Sequence, residues 1–164
     1  MRKTLYISLL VGLLFSCGDK DEEEATPSLE FKDQLLQGKI DEENWSFVTG
    51  KAEISTSTIS IDLYKESIAD STMCNSFFPA KEDFIFFTMD NTMEVVEFCL
   101  VGCDDNSQSV TLYEQTEGSN FIAIEGKIQL TRIDTTAKVV EGKLVTKSGE
   151  TSYVNGNFTV HLCD

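Results

Sequence analysis

Residues 122–130 read Ile122-Ala123-Ile124-Glu125-Gly126-Lys127-Ile128-Gln129-Leu130. The even positions are Ile122, Ile124, Gly126, Ile128 and Leu130, while the odd ones include Ala123, Glu125, Lys127 and Gln129. Successive side chains of an extended chain point to opposite faces, so a period of two marks a strand with one face on a core and one in water. The split recurs in Val140, Gly142 and Leu144 against Glu141 and Lys143. It appears again in Val154, Gly156, Phe158, Val160 and Leu162 against Asn155, Asn157, Thr159 and His161. Three consecutive strands follow.

Each carries a glycine on its inward face. If the strands form antiparallel hairpins turning about Asp134 and Gly149, Gly126 faces Gly142 and Gly142 faces Gly156, a glycine row across the sheet. On the outer face the same register sets Glu125 against Lys143 and Glu141 against Lys127, opposite charges on adjacent strands. Related units occur earlier, in Gly38-Lys39-Ile40 and Gly50-Lys51-Ala52. A glycine inside a strand weakens it and needs a reason. Three are open: sharp coiling toward a closed barrel, a notch for Trp45, Phe84 or Phe86, or the floor of a ligand site.

Outward from this region, alternation rich in Val, Ile, Phe and Thr predicts strands at 36–41, 45–55, 58–65, 83–89, 94–101 and 108–114, then 120–132, 138–147 and 152–162. Asp90-Asn91, Asp104-Asp105-Asn106, Glu117-Gly118-Ser119 and Ser148-Gly149 supply the turns. Residues 66–80 are the one long break, with a helical turn at 66–70. The fold class is therefore all-β: a meander of eight or nine antiparallel strands, closing as a flattened, calycin-like barrel or a two-layer sandwich. Phe84-Ile85-Phe86-Phe87 is apolar on both faces and reads as core rather than a ligand platform, as does Phe77-Phe78-Pro79.

The chain opens differently. Arg2 and Lys3 precede an apolar run from Leu5 to Phe15, too short to span a bilayer and built like a secretory signal. Leu14-Phe15-Ser16-Cys17 resembles the bacterial lipobox, with Phe15 bulkier than the usual residue there. That resemblance implies cleavage after residue 16 and a lipid on Cys17. Two or more acyl chains would hold the protein at a membrane. Residues 17–30 form an acidic tether that anionic headgroups repel, and residues 31–164 a single β domain. Lys20-Asp21-Glu22 resembles the surface-export signal of Bacteroidota lipoproteins, which implies display at the cell surface from the outer membrane.

The formal charge is −15; removing Arg2 and Lys3 with the signal takes it to −17. Such a body is a poor partner for nucleic acid. Besides Cys17 the chain has Cys74, Cys99, Cys103 and Cys163. An even set in an exported domain argues for two disulfides with three connectivities. The favoured pairs are Cys99–Cys103, a local clip beside a turn, and Cys74–Cys163, a long closure. There is no CxxC and a single histidine, so no zinc site is expected.

No nucleophile–base pair, P-loop or zinc-protease motif is present, and no cofactor is expected. His161 lies between inward residues and points outward. Asp104-Asp105-Asn106 lacks the pattern of a calcium loop. Asp70-Ser71-Thr72 and Asp134-Thr135-Thr136 resemble a short O-glycosylation motif of Bacteroidota exported proteins.

The order of Gly38-Lys39-Ile40, Trp45, Cys74, Val110-Thr111-Leu112, Ile124-Glu125-Gly126, Val140-Glu141-Gly142 and Val154-Asn155-Gly156-Asn157-Phe158 through Cys163 resembles small uncharacterised surface lipoproteins of flavobacteria and their relatives. The resemblance supports the all-β fold and the Cys74–Cys163 pairing, and implies no activity. The expected function is a non-enzymatic binding or accessory domain at the outer membrane, contacting a glycan, a lipid or an outer-membrane protein. A structural or shielding component of the envelope is the alternative, and an enzyme the third reading.

Overall fold

The computed structural model describes residues 29–75, 80–99 and 108–163. The fold is all-β: one curled mixed sheet forming a half-barrel. Its strands are β1 (Gln37–Ile40), β2 (Glu43–Ser46), β3 (Thr49–Ile54), β4 (Thr58–Tyr64), β5 (Phe84–Asp90), β6 (Val96–Cys99), β7 (Val110–Glu114), β8 (Ser119–Ile122), β9 (Glu125–Asp134), β10 (Val139–Ser148) and β11 (Ser152–Leu162). One short helix, α1 (Asp70–Met73), interrupts them. The expected helical turn at 66–70 thus forms later, where buried Met73 can anchor it beside Cys74.

The main path runs β6-β9-β10-β11-β3-β4-β5-β7-β8, and β1 pairs with both β11 and β2. Two antiparallel meanders, β3-β4-β5 and β9-β10-β11, meet the expectation locally. They are joined by a parallel pairing of β11 with β3, through His161–Lys51 and Leu162–Ala52. Parallel neighbours need a long crossover, and here the whole chain between β3 and β11 supplies it. The pure antiparallel meander and the two-layer sandwich are both replaced by a single mixed sheet.

Two expected strands break because the chain changes partner midway. In 45–55, the Phe47 amide donates to Leu36 O (2.9 Å) and the Val48 amide to Tyr64 O (2.9 Å), a passage from β1 to β4. In 120–132, the Ala123 amide donates to Val110 O (2.8 Å) and the Ile124 amide to Lys147 O (2.9 Å). Two residues carry the chain from one end of the sheet path to the flank of β10. At both corners the buried side changes from odd to even positions: Trp45 and Phe47 give way to Gly50 and Ala52, and Ala123 gives way to Gly126 and Ile128. Ile122, expected inward, is therefore exposed, and Ala123, expected outward, is fully buried.

The glycine row is corrected by the register. Gly126, Gly142 and Gly156 share the sheet but do not face one another: Gly142 lies opposite Phe158 and Leu130, Gly156 opposite Leu144, and Gly126 opposite Thr146. Asp134 does not sit at the centre of its turn. Its Oδ1 accepts the Thr136 and Ala137 amides (3.0 and 2.8 Å), which places it at the entry. Ser148 pairs with Ser152, so that turn centres on Glu150. A bulge between Glu141 and Gly142 absorbs the odd residue and keeps Leu130 and Ile128 on the inner face. The charged partners move accordingly. Glu125 meets Lys147 (2.7 Å) and Glu141 meets Arg132 (3.0 Å), while Lys127 meets Glu97 on β6 (3.0 Å).

The glycines instead make room. A Cβ on Gly142 would collide with the Phe158 ring, and one on Gly126 with the Phe98 ring of β6. These phenyls, not Trp45, Phe84 or Phe86, fill the notches. Gly156 has φ +146°, and the backbone of residues 34–36 lies against it. The β1–β2 hairpin turns through Asp41 and Glu42, both with positive φ. Ser152 Oγ and Thr151 O take their amides at 2.9 Å. It delivers Leu36, Ile40 and Trp45 to the core, and the Trp45 indole donates to Asp83 O at 3.0 Å.

Candidate functional site

Among the described residues, the inside of the half-barrel holds one hydrophobic core. Ile59, Ile61, Leu63, Ile85, Leu112, Ile128 and Leu144 are fully buried in one cluster with Trp45, Phe98 and Phe158. Burying each such aliphatic side chain contributes about 1.5–3 kcal/mol. The glycine notches are occupied by rings and backbone.

Cys74 and Cys163 form a disulfide with their Cα atoms 5.5 Å apart, spanning 89 residues of sequence. Beside it the half-buried His161 sets Nδ1 3.3 Å from Asp70 Oδ2, a side-chain contact between β11 and α1. Cys99 is disulfide-bonded. Its expected partner Cys103, the Asp104-Asp105-Asn106 turn, Phe77-Phe78-Pro79, the signal segment 1–16, Cys17 and nearly all of the tether lie outside the described residues.

An aromatic row crosses the outer face of β4, β5 and β7. Tyr64 pairs with Phe84 and Phe84 with Tyr113, their ring centroids 6.0 and 4.9 Å apart. Phe86 lies 5.6 Å from Phe84 with the planes 30° apart. One rung along, Asp62, Phe86, Thr111 and Ile122 line up across β4, β5, β7 and β8. Phe86 is 36% and Ile122 51% exposed. Within 84–87, Ile85 and Phe87 enter the core while Phe84 and Phe86 face outward. Alternation within β5 allows that split. Only the pairing register adds Tyr64, Tyr113 and Ile122 to the row.

The electrostatics of the row are quiet. The Tyr64 hydroxyl donates to Asp62 Oδ2 (3.1 Å). Burial, then the Asp62 charge, push the Tyr64 phenol well above its usual range, so it stays protonated. Burial also raises the Asp62 carboxyl, against the pull of Lys51 3.7 Å away. Ser60 and Thr88 hydroxyls share a 2.9 Å hydrogen bond on the next rung. The exposed centre presents rings and hydroxyls, with Asp62 balanced by Lys51.

Among the described residues, two clefts bear on binding. One, of ≈ 300 Å³, gathers Asp41, Glu43, Glu82, Asp83, Glu114 and Glu117. Two of its carboxylates do structural work. Asp83 Oδ1 accepts the Gln115 amide (3.0 Å), and Glu114 accepts the Thr116 and Glu117 amides. Those amide donors hold the Glu114 carboxyl below its usual range. Among the described residues no group of three or more His, Cys, Asp or Glu is placed to hold a metal ion. The other cleft, of ≈ 240 Å³, lies between residues 29–38 and the β10–β11 hairpin, with Lys32, Gln34, Gln37, Lys147 and Tyr153 on its walls. No sequence motif marked it, because it joins three separate stretches of chain.

No protein-family model matches the chain, and neither does a curated protein or a solved structure.

Proposed function

We propose that this chain is an outer-membrane lipoprotein, anchored through Cys17 and displayed at the cell surface, whose β domain is a non-enzymatic glycan-binding module. The observation that carries the reading is the outward aromatic row of Phe84, Phe86 and Tyr113. A folded chain of charge −15 gains nothing in solubility from exposing a ring on β5 and an isoleucine on β8, on one rung of the sheet. The core is already filled without them. Flat rings offer stacking surface for the C–H face of a sugar. Thr111, Ser60 and Thr88 beside them offer hydroxyls to its hydroxyls. Few charges and an acidic body favour a neutral glycan over an anionic polymer.

The buried apolar core also supports a second reading, a structural or shielding component of the envelope. Titrating the full chain in detergent with neutral gluco-, manno- and xylo-oligosaccharides separates the two. Binding of one of them, weakened at least tenfold by Phe86→Ala, supports the glycan module. Absence of binding to all three classes refutes it and favours the structural role. Anchoring is checked separately: palmitate labelling is expected for the native chain and lost in Cys17→Ser.

A further inference from the structure

We infer that the ≈ 240 Å³ cleft between residues 29–38 and the β10–β11 hairpin is a second binding site, for a single-ring sugar acid. It lies away from the aromatic row, and its chemistry is of the opposite kind. Across the whole chain Asp and Glu number 28 against 13 Lys and Arg. Yet the described walls of this cleft carry two lysines and no carboxylate, whereas the ≈ 300 Å³ cleft carries six carboxylates and one lysine. Screening limits the acidic body's field to about 8 Å at physiological salt, so the local sign decides what the cleft attracts.

The walls divide into groups that are spent and groups that are open. Asn155 is engaged at both ends: its Oδ1 accepts the Lys32 amide and its Nδ2 donates to Glu30 O, both at 2.9 Å. Gln34 Nε2 donates to Asn155 O (3.0 Å), and Thr146 Oγ1 to Glu125 O (2.9 Å). These bonds pin residues 30–34 against β11 and brace β10 against β9. Lys147 is ion-paired with Glu125 at 2.7 Å, which offsets its charge. Among the described residues, the Lys32 ammonium, the Gln37 amide and the Tyr153 phenol have no side-chain hydrogen bond or ion pair. Donors therefore outnumber acceptors at the mouth, and one of them is a full cation. A ligand that answers them has a carboxylate for Lys32 and hydroxyls for the amide and phenol.

Size narrows the class. The volume falls just under the range of about 300–1,000 Å³ typical of sites for drug-sized ligands. One sugar ring fits that limit better than a peptide. Glucuronate and glucose are the probes, because they differ by the carboxylate alone.

The test is an NMR titration of the full chain in detergent with each probe. Glucuronate is expected to shift the Gln34 and Gln37 side-chain amides and the Tyr153 ring saturably, and glucose is not. Lys32→Gln, an exposed position that leaves the fold intact, is expected to weaken glucuronate binding at least tenfold, the loss of one charge-assisted hydrogen bond. Raising the salt is expected to weaken it in the native chain. The inference is overturned if glucuronate gives no saturable shift at these groups, if glucose matches it, or if Lys32→Gln changes nothing. Shifts at Phe84 and Phe86 instead would assign the anion to the aromatic row and overturn it equally. Because the probes and reporting residues differ, failure here leaves the neutral-glycan reading standing, and the reverse also holds.

Discussion

Phe158 on β11 lies directly opposite Gly142 on β10, its ring tip occupying the space where a Cβ at position 142 would stand. Phe98 and Gly126 repeat the relationship on β6 and β9, with the ring carbons 2.5–2.8 Å from such a Cβ. A cross-strand ring covers the backbone that glycine leaves bare, and so offsets glycine's own cost in a strand.

Gly142→Ala is therefore expected to destabilise the domain by about 1–3 kcal/mol, the range for overpacking a well-filled core. Gln129 O, 2.9 Å from the new Cβ, blocks the easy relaxation. Combining it with Phe158→Leu should cost less than the two single changes summed. Urea unfolding of the four proteins checks this. Strict additivity would mean that the ring and the glycine are not coupled.

Loss of the Cys74–Cys163 bond should cost about 3–4.5 kcal/mol, because it closes a loop of 89 residues in the unfolded chain. Cys74→Ala with Cys163→Ala removes it cleanly. The guanidinium midpoint should fall, while the far-ultraviolet circular dichroism in water stays that of a β protein. An unchanged midpoint would show that the bond contributes nothing to the folded state.

Acid stability should depend on Asp134. The backbone amide of Ala137 first, then the Arg132 guanidinium, hold its carboxyl below the usual range. A carboxyl lowered in the folded state stabilises above its unfolded value of about 3.9 and loses that contribution as pH falls through the folded value. Thermal midpoints of the native chain and Asp134→Ala should differ at pH 7 and converge below about pH 4. Asp62 acts in the opposite sense, since burial raises it: Asp62→Asn should raise stability at pH 7 relative to pH 3. A constant gap across pH would refute either assignment.

Trp45 is the one tryptophan, 1% exposed, with its indole on Asp83 O. Its emission should be blue-shifted in the folded protein and move to the red on unfolding. Trp45→Phe should cost about 1–3 kcal/mol, from the lost hydrogen bond and the smaller ring. Native emission at the wavelength of free tryptophan would contradict its burial.

Phe86→Ala should barely alter stability, by about 1 kcal/mol or less, as befits a ring facing water. That makes it a fair probe of binding. A large loss of stability would mean that the ring serves the fold and not a ligand.

The amino-acid sequence by itself determined the all-β class and, along β5, β10 and β11, which residues face inward. Both rest on local pattern: a period of two, with glycine and aspartate at turns. His161 and Cys163, placed at the end of the last strand by alternation alone, are found there. Tertiary structure decided what local pattern leaves degenerate. Moving a turn centre from Gly149 to Glu150 keeps every side chain on its face and changes every partner, so alternation is blind to it. The glycine row dissolved for that reason, and Phe98 and Phe158 took its place. The parallel β11–β3 seam, the corners at Phe47–Val48 and Ala123–Ile124, the aromatic row and both clefts join residues distant in sequence. Their contacts are chosen by how the curled sheet best buries one apolar face, a sum over the whole chain that no single stretch of it contains.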